Sequence, residues 1–380
     1  MNLDFSEEQT MVLQSVCRFT EKEVEPVASE MDKNGIFPQA LVSKLGKMGL
    51  MGAFIPMKYG GSGMDLLTYI LAMEGISRTW ASLGVIMTVN NSLVCDPIHR
   101  FGNQIQKEKY LPLLARGAFL GCYALTEPGA GSDAGAIATQ AKEDGDAYIL
   151  NGTKRFITNG RHADVAIVYA VTDSSLGKKG ISTFIVDAAS PGFMVGKIEE
   201  KMGLLGSDTA ELIFEDCRVP KENLLGEKND GFKIALTTLD GGRIGIAAQS
   251  VGIAQACLEA SIAYAKERRQ FDHPLADFQA IQWMLSDMKT EIDAARLLTH
   301  RAAWLRQCRR PMAAAASQAK LYASEMVNRV AYKAVQIFGG YGYIKEFPVE
   351  RYYRDARITT LYEGTSEIQR MVIARDLLSS

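Results

Sequence analysis

The spacing of apolar residues along the chain changes twice. The first third follows a helical period. Ser6 with Gln9 three residues on is a capping-box pair, and Val12, Leu13, Val16, Phe19 and Thr20 continue a mostly apolar stripe. Pro26 predicts a kink or a break. Pro38 predicts the start of another helix through Leu41, Leu45 and Met48. Tyr59-Gly60-Gly61-Ser62-Gly63 predicts a loop, since glycine tolerates positive φ. Helical pattern then resumes through Arg78 and again from Gln104 to Ala115.

From about residue 118 to 225 the period shortens. Ala147–Leu150, Val165–Ala170, Ser182–Val186 and Glu211–Phe214 are short runs rich in β-formers, with turn signals at Asn151-Gly152, Asn159-Gly160 and Pro191-Gly192. This predicts an antiparallel sheet or small barrel. No long helices intervene, so parallel βαβ units are not expected. From about residue 230 the helical period returns. Ile244, Ala248, Val251, Leu258 and Ile262 share one face, and Ile281, Leu285, Met288 and Ile292 share another. Small residues crowd the first of these helices (Gly241, Gly242, Gly245, Ala247, Ala248, Gly252), which allows close helix approach. Four long helices with short loops predict a bundle.

Composition adds exclusions. A chain of 380 residues exceeds one ordinary core, so two or three domains are expected. Apolar residues make up 47% and charged residues 23%, normal for a globular protein. A net charge of −2 offers no electrostatic handle for nucleic acid. The N-terminal run Met1-Asn2-Leu3-Asp4-Phe5-Ser6-Glu7-Glu8 is acidic and is not read as a secretory signal. No stretch reaches the roughly 18 unbroken apolar residues of a membrane span. The expectation is a cytoplasmic protein, with a processed mitochondrial-matrix form as the alternative. Six scattered cysteines and four histidines, none at ligand spacing, predict no disulfide scaffold and no metal site. Redox chemistry, if any, needs an organic cofactor.

Six segments stand out. Leu125-Thr126-Glu127-Pro128-Gly129-Ala130-Gly131-Ser132-Asp133-Ala134 contains a Gly-x-Gly-x-x-Ala string, but Pro128 before it and a β-run after it do not suit a Rossmann fingerprint. It is equally a plain turn or a ligand loop whose backbone N–H groups meet a phosphate or cofactor ring. Asn151 to Gly160 reads as turn, strand and turn, with Phe156 placed to lie against a planar ring and Thr158 to hydrogen-bond it. Leu239-Asp240-Gly241-Gly242-Arg243 reads as a helix start, where Asp240 suits the dipole. The Asp240 and Arg243 pair is either a surface ion pair or a phosphate or ribose contact. Glu267-Arg268-Arg269-Gln270-Phe271, with Gln279 beyond, is a basic cluster at a helix end. Gln336-Ile337-Phe338-Gly339-Gly340-Tyr341-Gly342-Tyr343 ends a helix with more glycines than a C-cap needs. Glu363 lies in Leu361-Tyr362-Glu363-Gly364-Thr365-Ser366-Glu367, before a helix that Thr365 or Ser366 would cap. A loop glutamate is by default solvated. Gly364 clears space beside this one, and Tyr362 helps keep water away.

In combination these segments resemble the acyl-CoA dehydrogenase family, and the resemblance runs in order over nearly the whole chain. Including Val89-Asn90-Asn91-Ser92-Leu93, the pattern is most similar to short-chain (butyryl-type) members. The resemblance implies an α+β multidomain fold: a helical N-terminal domain (1–117), a middle antiparallel β-barrel domain (118–228) and a C-terminal four-helix bundle domain (229–380). It implies FAD as cofactor, between barrel and bundle and across a dimer interface. Tyr123, Leu125, Thr126 and Ser132 would line the flavin loop, with Phe156 and Thr158 on the ring's other side. Arg268, Phe271 and Gln279 would reach FAD from the neighbouring subunit. Gln336, Gly339 and Gly340 would hold its adenosine half, and Thr365 and Glu367 would contact it. Ser132, Asp240, Arg243, Tyr362 and Gly364 would bind the acyl-CoA substrate.

The implied reaction is α,β-dehydrogenation of an acyl thioester. Glu363 removes the α-proton, the β-hydrogen leaves as hydride to flavin N5, and a flavin ribityl hydroxyl with the Glu363 N–H holds the thioester oxygen. Some relatives carry the base near the position of Gly242, which here is glycine. Desolvation on substrate binding is expected to raise the Glu363 pKa against the nearby helix N-terminus. The resemblance also implies an electron-transferring flavoprotein as electron acceptor and a homotetramer. The alternatives are a branched or cyclic (cyclohexane-carbonyl-type) acyl substrate, a non-catalytic acyl-CoA-binding or assembly protein, and a nicotinamide-dependent dehydrogenase resting on the Gly129 string.

Overall fold

The capping box at Ser6 forms: Ser6 Oγ accepts from the Gln9 N–H at 3.2 Å, and Gln9 Oε1 accepts from the Ser6 N–H at 2.9 Å. It opens α1 (Glu7–Phe19) in a computed structural model that describes residues 4–379. Met1, Asn2 and Leu3, part of the acidic run read above, lie outside the described residues, as does Ser380. Pro26 coincides with a break in the α-helical period: a π-helical turn (Thr20–Val24) separates α1 from α2 (Glu25–Lys33), and Pro26 sits in the first turn of α2. The helices α3 (Gln39–Lys47) and α4 (Leu66–Thr79) follow as expected, α4 capped by Asp65.

The run between α4 and residue 104 carries no period, yet it is helical: α5 (Ala81–Thr88), a π-helical turn (Val89–Cys95) and α6 (Asp96–Phe101). Every residue from Ala81 to Cys95 is buried, so no polar face marks the helix. In the π turn, Asn91 donates to Leu50 O and Met87 O and accepts from the Ala53 N–H, and Asn90 accepts from the Gly121 N–H. These two asparagines tie the helical layer to the first strand. Helix α7 (Gln104–Ala115) ends this region.

Seven strands form one sheet: β1 (Gly121–Ala124), β2 (Gln140–Asp144), β3 (Ala147–Thr158), β4 (Val165–Val171), β5 (Ile181–Asp187), β6 (Phe193–Ile198) and β7 (Thr209–Pro220). Their order is β1-β4-β2-β3-β7-β6, with β5 paired to β4. Two pairings correct the antiparallel expectation. β1 runs parallel to β4, Gly121 opposite Val165, and β2 meets β4 in parallel at Gln140 and Val171. The β2–β3 hairpin between them supplies the return path a parallel pair needs. Asn151-Gly152 is not a turn either. It lies inside the 12-residue strand β3 at a register shift against β7. Glycine is required there because a Cβ at 152 would stand 2.5 Å from Thr139 Oγ1.

The C-terminal helices are α8 (Gly231–Glu267), α9 (Gln279–Gln307), α10 (Ala313–Phe338), α11 (Val349–Arg357) and α12 (Ser366–Ser379). A two-residue hairpin, β8 (Arg269–Gln270) with β9 (His273–Pro274), links α8 to α9. Three of the five helices are long, at 37, 29 and 26 residues; the other two are short. Helix α8 is the axis, packed on α4, α9 and α10. By length and composition it would also pass for a membrane span, but most of that stretch is buried inside the fold. One apolar core joins the N-terminal helices to α8, α9 and α10. A second lies between α6, α7 and the sheet, and a third lies within the sheet.

Candidate active site

The loop Leu361–Thr365 enters α12 with Thr365 as its cap, Thr365 Oγ1 accepting from the Ile368 N–H at 3.4 Å. Glu363 has φ +52° and Gly364 φ +89°, two consecutive left-handed residues. Left-handed backbone costs a non-glycine residue about 1–2 kcal/mol, so surrounding contacts must hold it. They do: Gln369 Nε2 donates to Glu363 O at 3.2 Å and to Gly364 O at 2.8 Å, and Lys320 Nζ donates to Gly364 O at 2.8 Å. On the other flank the Tyr362 hydroxyl donates to Gln249 Oε1, and Gln249 Nε2 donates to Ala81 O at 2.9 Å.

This turn aims the Glu363 carboxylate at α8. A Cβ added at Gly242 would stand 1.8 Å from Glu363 Oε2, so glycine alone leaves room for the acid. Oε2 is shut off from solvent and has no hydrogen-bond partner. Burial raises the Glu363 pKa to about 8, with Arg243 and then Lys320 opposing. The shift is thus present before any substrate binds, and two cations rather than the helix end alone oppose it.

Asp240 and Arg243 are not at a helix start. Helix α8 begins at Gly231, so both lie well inside it. Nor is their ion pair a surface one: Arg243 Nη1 meets Asp240 Oδ1 at 2.7 Å, with the arginine only 5% exposed. The double glycine between them answers to packing, since a Cβ at Gly241 would meet Arg306 Nη1 at 2.2 Å.

The loop from Leu125 to Ser132 hangs from a buried ion pair. Lys154 Nζ meets Glu127 Oε1 at 2.7 Å and Leu125 O at 3.1 Å, and Glu127 also accepts from the Ala138 and Thr139 N–H groups. The Arg155 N–H donates to Thr126 O at 2.8 Å, so the loop lies along β3, which carries Phe156 and Thr158. Ser132 is exposed, Phe156 stands out at 61% exposure, and Gly129 and Gly131 border open space. Tyr123 lies close enough to feel the charges of both Glu363 and Arg243.

The remaining expected residues gather elsewhere. Beyond α10, Gly339 (φ +61°) and Gly340 border open space and, with Tyr264, Arg268, Gln270 and Tyr341, line a cleft of about 430 Å³. Phe271 projects beside it at 86% exposure, and Gln336 and Gln279 are exposed. Exposed aromatic planes, an arginine and unobstructed glycine backbone suit a dinucleotide. Gly242 and Arg268, however, are 26 residues apart on α8, about 39 Å at the helical rise. One chain therefore does not bring the Arg268 cleft to its own Glu363. Among the described residues no group of three or more His, Cys, Asp or Glu side chains is arranged to hold a metal.

Three buried residues at Glu363 escaped the sequence reading: Gln249, Lys320 and Gln369. A signal existed for Lys320, a lone cation in the apolar stripe Ala316, Ala319, Ala323 and Val327. Gly364→Ala should damage the turn, since its Cβ would come 2.8 Å from Gln369 Nε2 at a φ that disfavours side chains. The expected loss is about 1–3 kcal/mol, read from urea melts, with kcat falling alongside it.

The chain matches the family descriptions "Acyl-CoA dehydrogenase, N-terminal domain" over residues 6–118, "middle domain" over 122–217 and "C-terminal domain" over 229–378. It is 51% identical to the mitochondrial short-chain specific acyl-CoA dehydrogenase of Homo sapiens over 379 residues, covering 100% of this chain and 92% of that protein. Its fold superposes with a TM-score of 0.98 on butyryl-CoA dehydrogenase from Megasphaera elsdenii, at 47% identity and full coverage of both chains. A chain from the structural study of the electron transferring flavoprotein of Acidaminococcus fermentans gives a TM-score of 0.99 at 50% identity, again with full coverage of both. With helical, β and helical regions in the family's order, this chain belongs to the acyl-CoA dehydrogenase family.

Proposed function

We propose that the protein dehydrogenates a short-chain acyl-CoA to the trans-2-enoyl-CoA, with Glu363 as the base. The observation that carries the reading is the Glu363 carboxylate: half-buried as a residue, with Oε2 shut off from solvent and unpartnered among the described residues, facing a glycine, and raised to about 8. A carboxylate at its ordinary pKa of about 4.3 is a poor base for a carbon acid; one near 8 is matched to the task. Bound FAD supplies the acceptor for the β-hydrogen. The chain's own part is to hold the α-proton against Glu363, keep water from it, and present the Glu363 N–H to the thioester oxygen. Tyr362 and Gly364 flank the acyl group, and Ser132, Asp240 and Arg243 meet CoA.

For the cofactor, Tyr123, Leu125, Thr126, Ser132, Phe156, Thr158, Thr365 and Glu367 hold the flavin end in one subunit. Arg268, Phe271, Gln279, Gln336, Gly339 and Gly340 come from a second copy. The length of α8 between Gly242 and Arg268 supports this division and a homo-oligomer, a tetramer by family resemblance. Domains at 1–117, 118–228 and 229–380, a closed barrel and a four-helix bundle complete the reading. An electron-transferring flavoprotein takes the electrons, as the 50% identity to a chain from the Acidaminococcus study supports.

The test is anaerobic titration of the purified flavoprotein with acyl-CoA thioesters. Butyryl-CoA should bleach the flavin more completely than octanoyl-CoA, isovaleryl-CoA or cyclohexane-carbonyl-CoA. Preferential bleaching by a branched or cyclic thioester would replace the substrate assignment, and no bleaching by any thioester would overturn the enzymatic one.

A further inference from the structure

We propose that Lys320 is a positioning residue for the base, pinning the Glu363–Gly364 turn and holding a positive charge beside the Glu363 carboxylate. The inference rests on Glu363 being the base. Lys320 lies on the buried stripe of α10 with Ala316, Ala319, Ala323 and Val327, and its side chain is fully buried. A lysine there is strongly unfavourable unless its charge is compensated, and an apolar residue would pack as well. The compensation lies in one direction. Lys320 Nζ donates to Gly364 O at 2.8 Å; burial lowers its pKa to about 8, and Glu363 is the leading charge that favours the ammonium form, which still prevails at pH 7.

The turn explains the need. On these two consecutive positive-φ residues the carbonyls of Glu363 and Gly364 are both taken up by side-chain donors of the protein. Gly364 O takes two donors, Lys320 Nζ and Gln369 Nε2, each at 2.8 Å, which fills both of its lone-pair positions. Gln369, also buried, bonds Glu363 O as well. The peptide after the base is thereby fixed from α10 and α12 together, and with it the Glu363 N–H and carboxylate.

The charge matters as much as the bond. The other charged groups around the loop include Arg243 and Asp240 on α8, Arg306 on α9, Glu325 on α10, Asp355 on α11 and Glu367 on α12; Tyr69, Tyr123 and Tyr362 are titratable neighbours with raised pKa values. Of these, only Arg243 and Lys320 hold the Glu363 pKa down against burial. Arg243 is already engaged with Asp240 and Ser317 Oγ, whereas Lys320 has no carboxylate within ion-pair distance among the described residues. Without it the base, already raised to about 8, would titrate higher still, and a smaller fraction of it would be ionised at neutral pH.

Lys320→Met removes bond and charge, and Lys320→Gln restores a donor without the charge. Both are assayed as flavin-loaded protein for kcat, KM and the pH profile of kcat/KM. In Lys320→Met the acid limb of the profile should move up by about one pH unit or more, a tenfold loss at pH 7 for each unit. KM and flavin content should change little. Lys320→Gln should recover thermal stability while its limb stays shifted. An unshifted limb in either variant overturns the inference, so the Gln variant carries the test if the Met variant does not fold. A Glu363→Gln variant with near-normal turnover would instead show that the base reading itself is wrong.

Discussion

Glu363→Gln should lose about 10²–10⁴-fold in kcat, the usual cost of removing a general base, and yet become more stable at neutral pH. Both effects have one cause. The folded protein buries Glu363 and raises its pKa from an ordinary 4.5 to about 8. Between those values the folded state keeps the proton and the unfolded state releases it. Stability that is fully present below the unfolded pKa is therefore lost as pH rises, by at most about 1.4 kcal/mol per unit, until the folded pKa is passed. Glutamine has the same shape and no titration, so it escapes that loss. Solvent access to part of the loop reduces the gap to a few kcal/mol at most. Denaturation of both proteins at pH 4.5 and pH 8 measures it. The two should nearly coincide at the lower pH and separate, with the variant more stable, at the higher. A gap independent of pH would mean that the carboxylate is not held protonated by the fold, and near-normal turnover would remove it from the mechanism.

The same residue shows how far the sequence is legible. Glu363 announces itself through neighbours in the chain: the glycine after it, the tyrosine before it and the capping threonine, all of which take the expected places. Its other partners are distant in sequence. Lys320 is 44 residues from the carbonyl it bonds, and Gln249 is 113 from Tyr362. No local pattern reports such contacts, although a charge in an apolar stripe hints at one. The fold divides similarly. The two-sided helices α1 and α3 were legible because one face differs from the other, whereas β4 and β5, buried on both faces, were legible from their β-rich composition and the turn signals around them. The segment Ala81–Cys95 was not, because it is buried on every side. Some misreadings sit at glycine: Asn151-Gly152 reads as a turn and the segment Asp240 to Arg243 as a helix start, but in each place glycine is required by what approaches it, whereas the parallel pairings of β1 and β2 with β4 have no local signal. Thr139 crowds Gly152, Arg306 crowds Gly241, and the Glu363 carboxylate crowds Gly242.

That crowding makes Gly242→Ala the second large effect expected. The added methyl would occupy a point 1.8 Å from Glu363 Oε2. The atom in its way is the end of a flexible side chain, so the carboxylate can move and the fold should survive. Helix α8 should if anything gain up to about 1 kcal/mol from replacing an interior glycine. The base, however, is pushed off by more than an ångström, a displacement that costs about 10²-fold where reacting atoms must be aligned. The expected variant is folded, holds flavin and binds acyl-CoA, with kcat about a hundredfold down. Gly241→Ala is the contrast. Its methyl meets Arg306, which is anchored at 2.6 Å to Asp96 on α6, and leaves the carboxylate untouched. Its loss in kcat should be at least tenfold smaller, though it sits one residue away in the same helix. A double-mutant cycle completes the argument. Glu363→Asp withdraws the carboxylate by one methylene and removes the clash, so Gly242→Ala should cost little more in that background than Glu363→Asp costs alone. Additive losses in the cycle would mean that Gly242 acts on the substrate rather than on the base, and that the space it leaves open belongs to the acyl group.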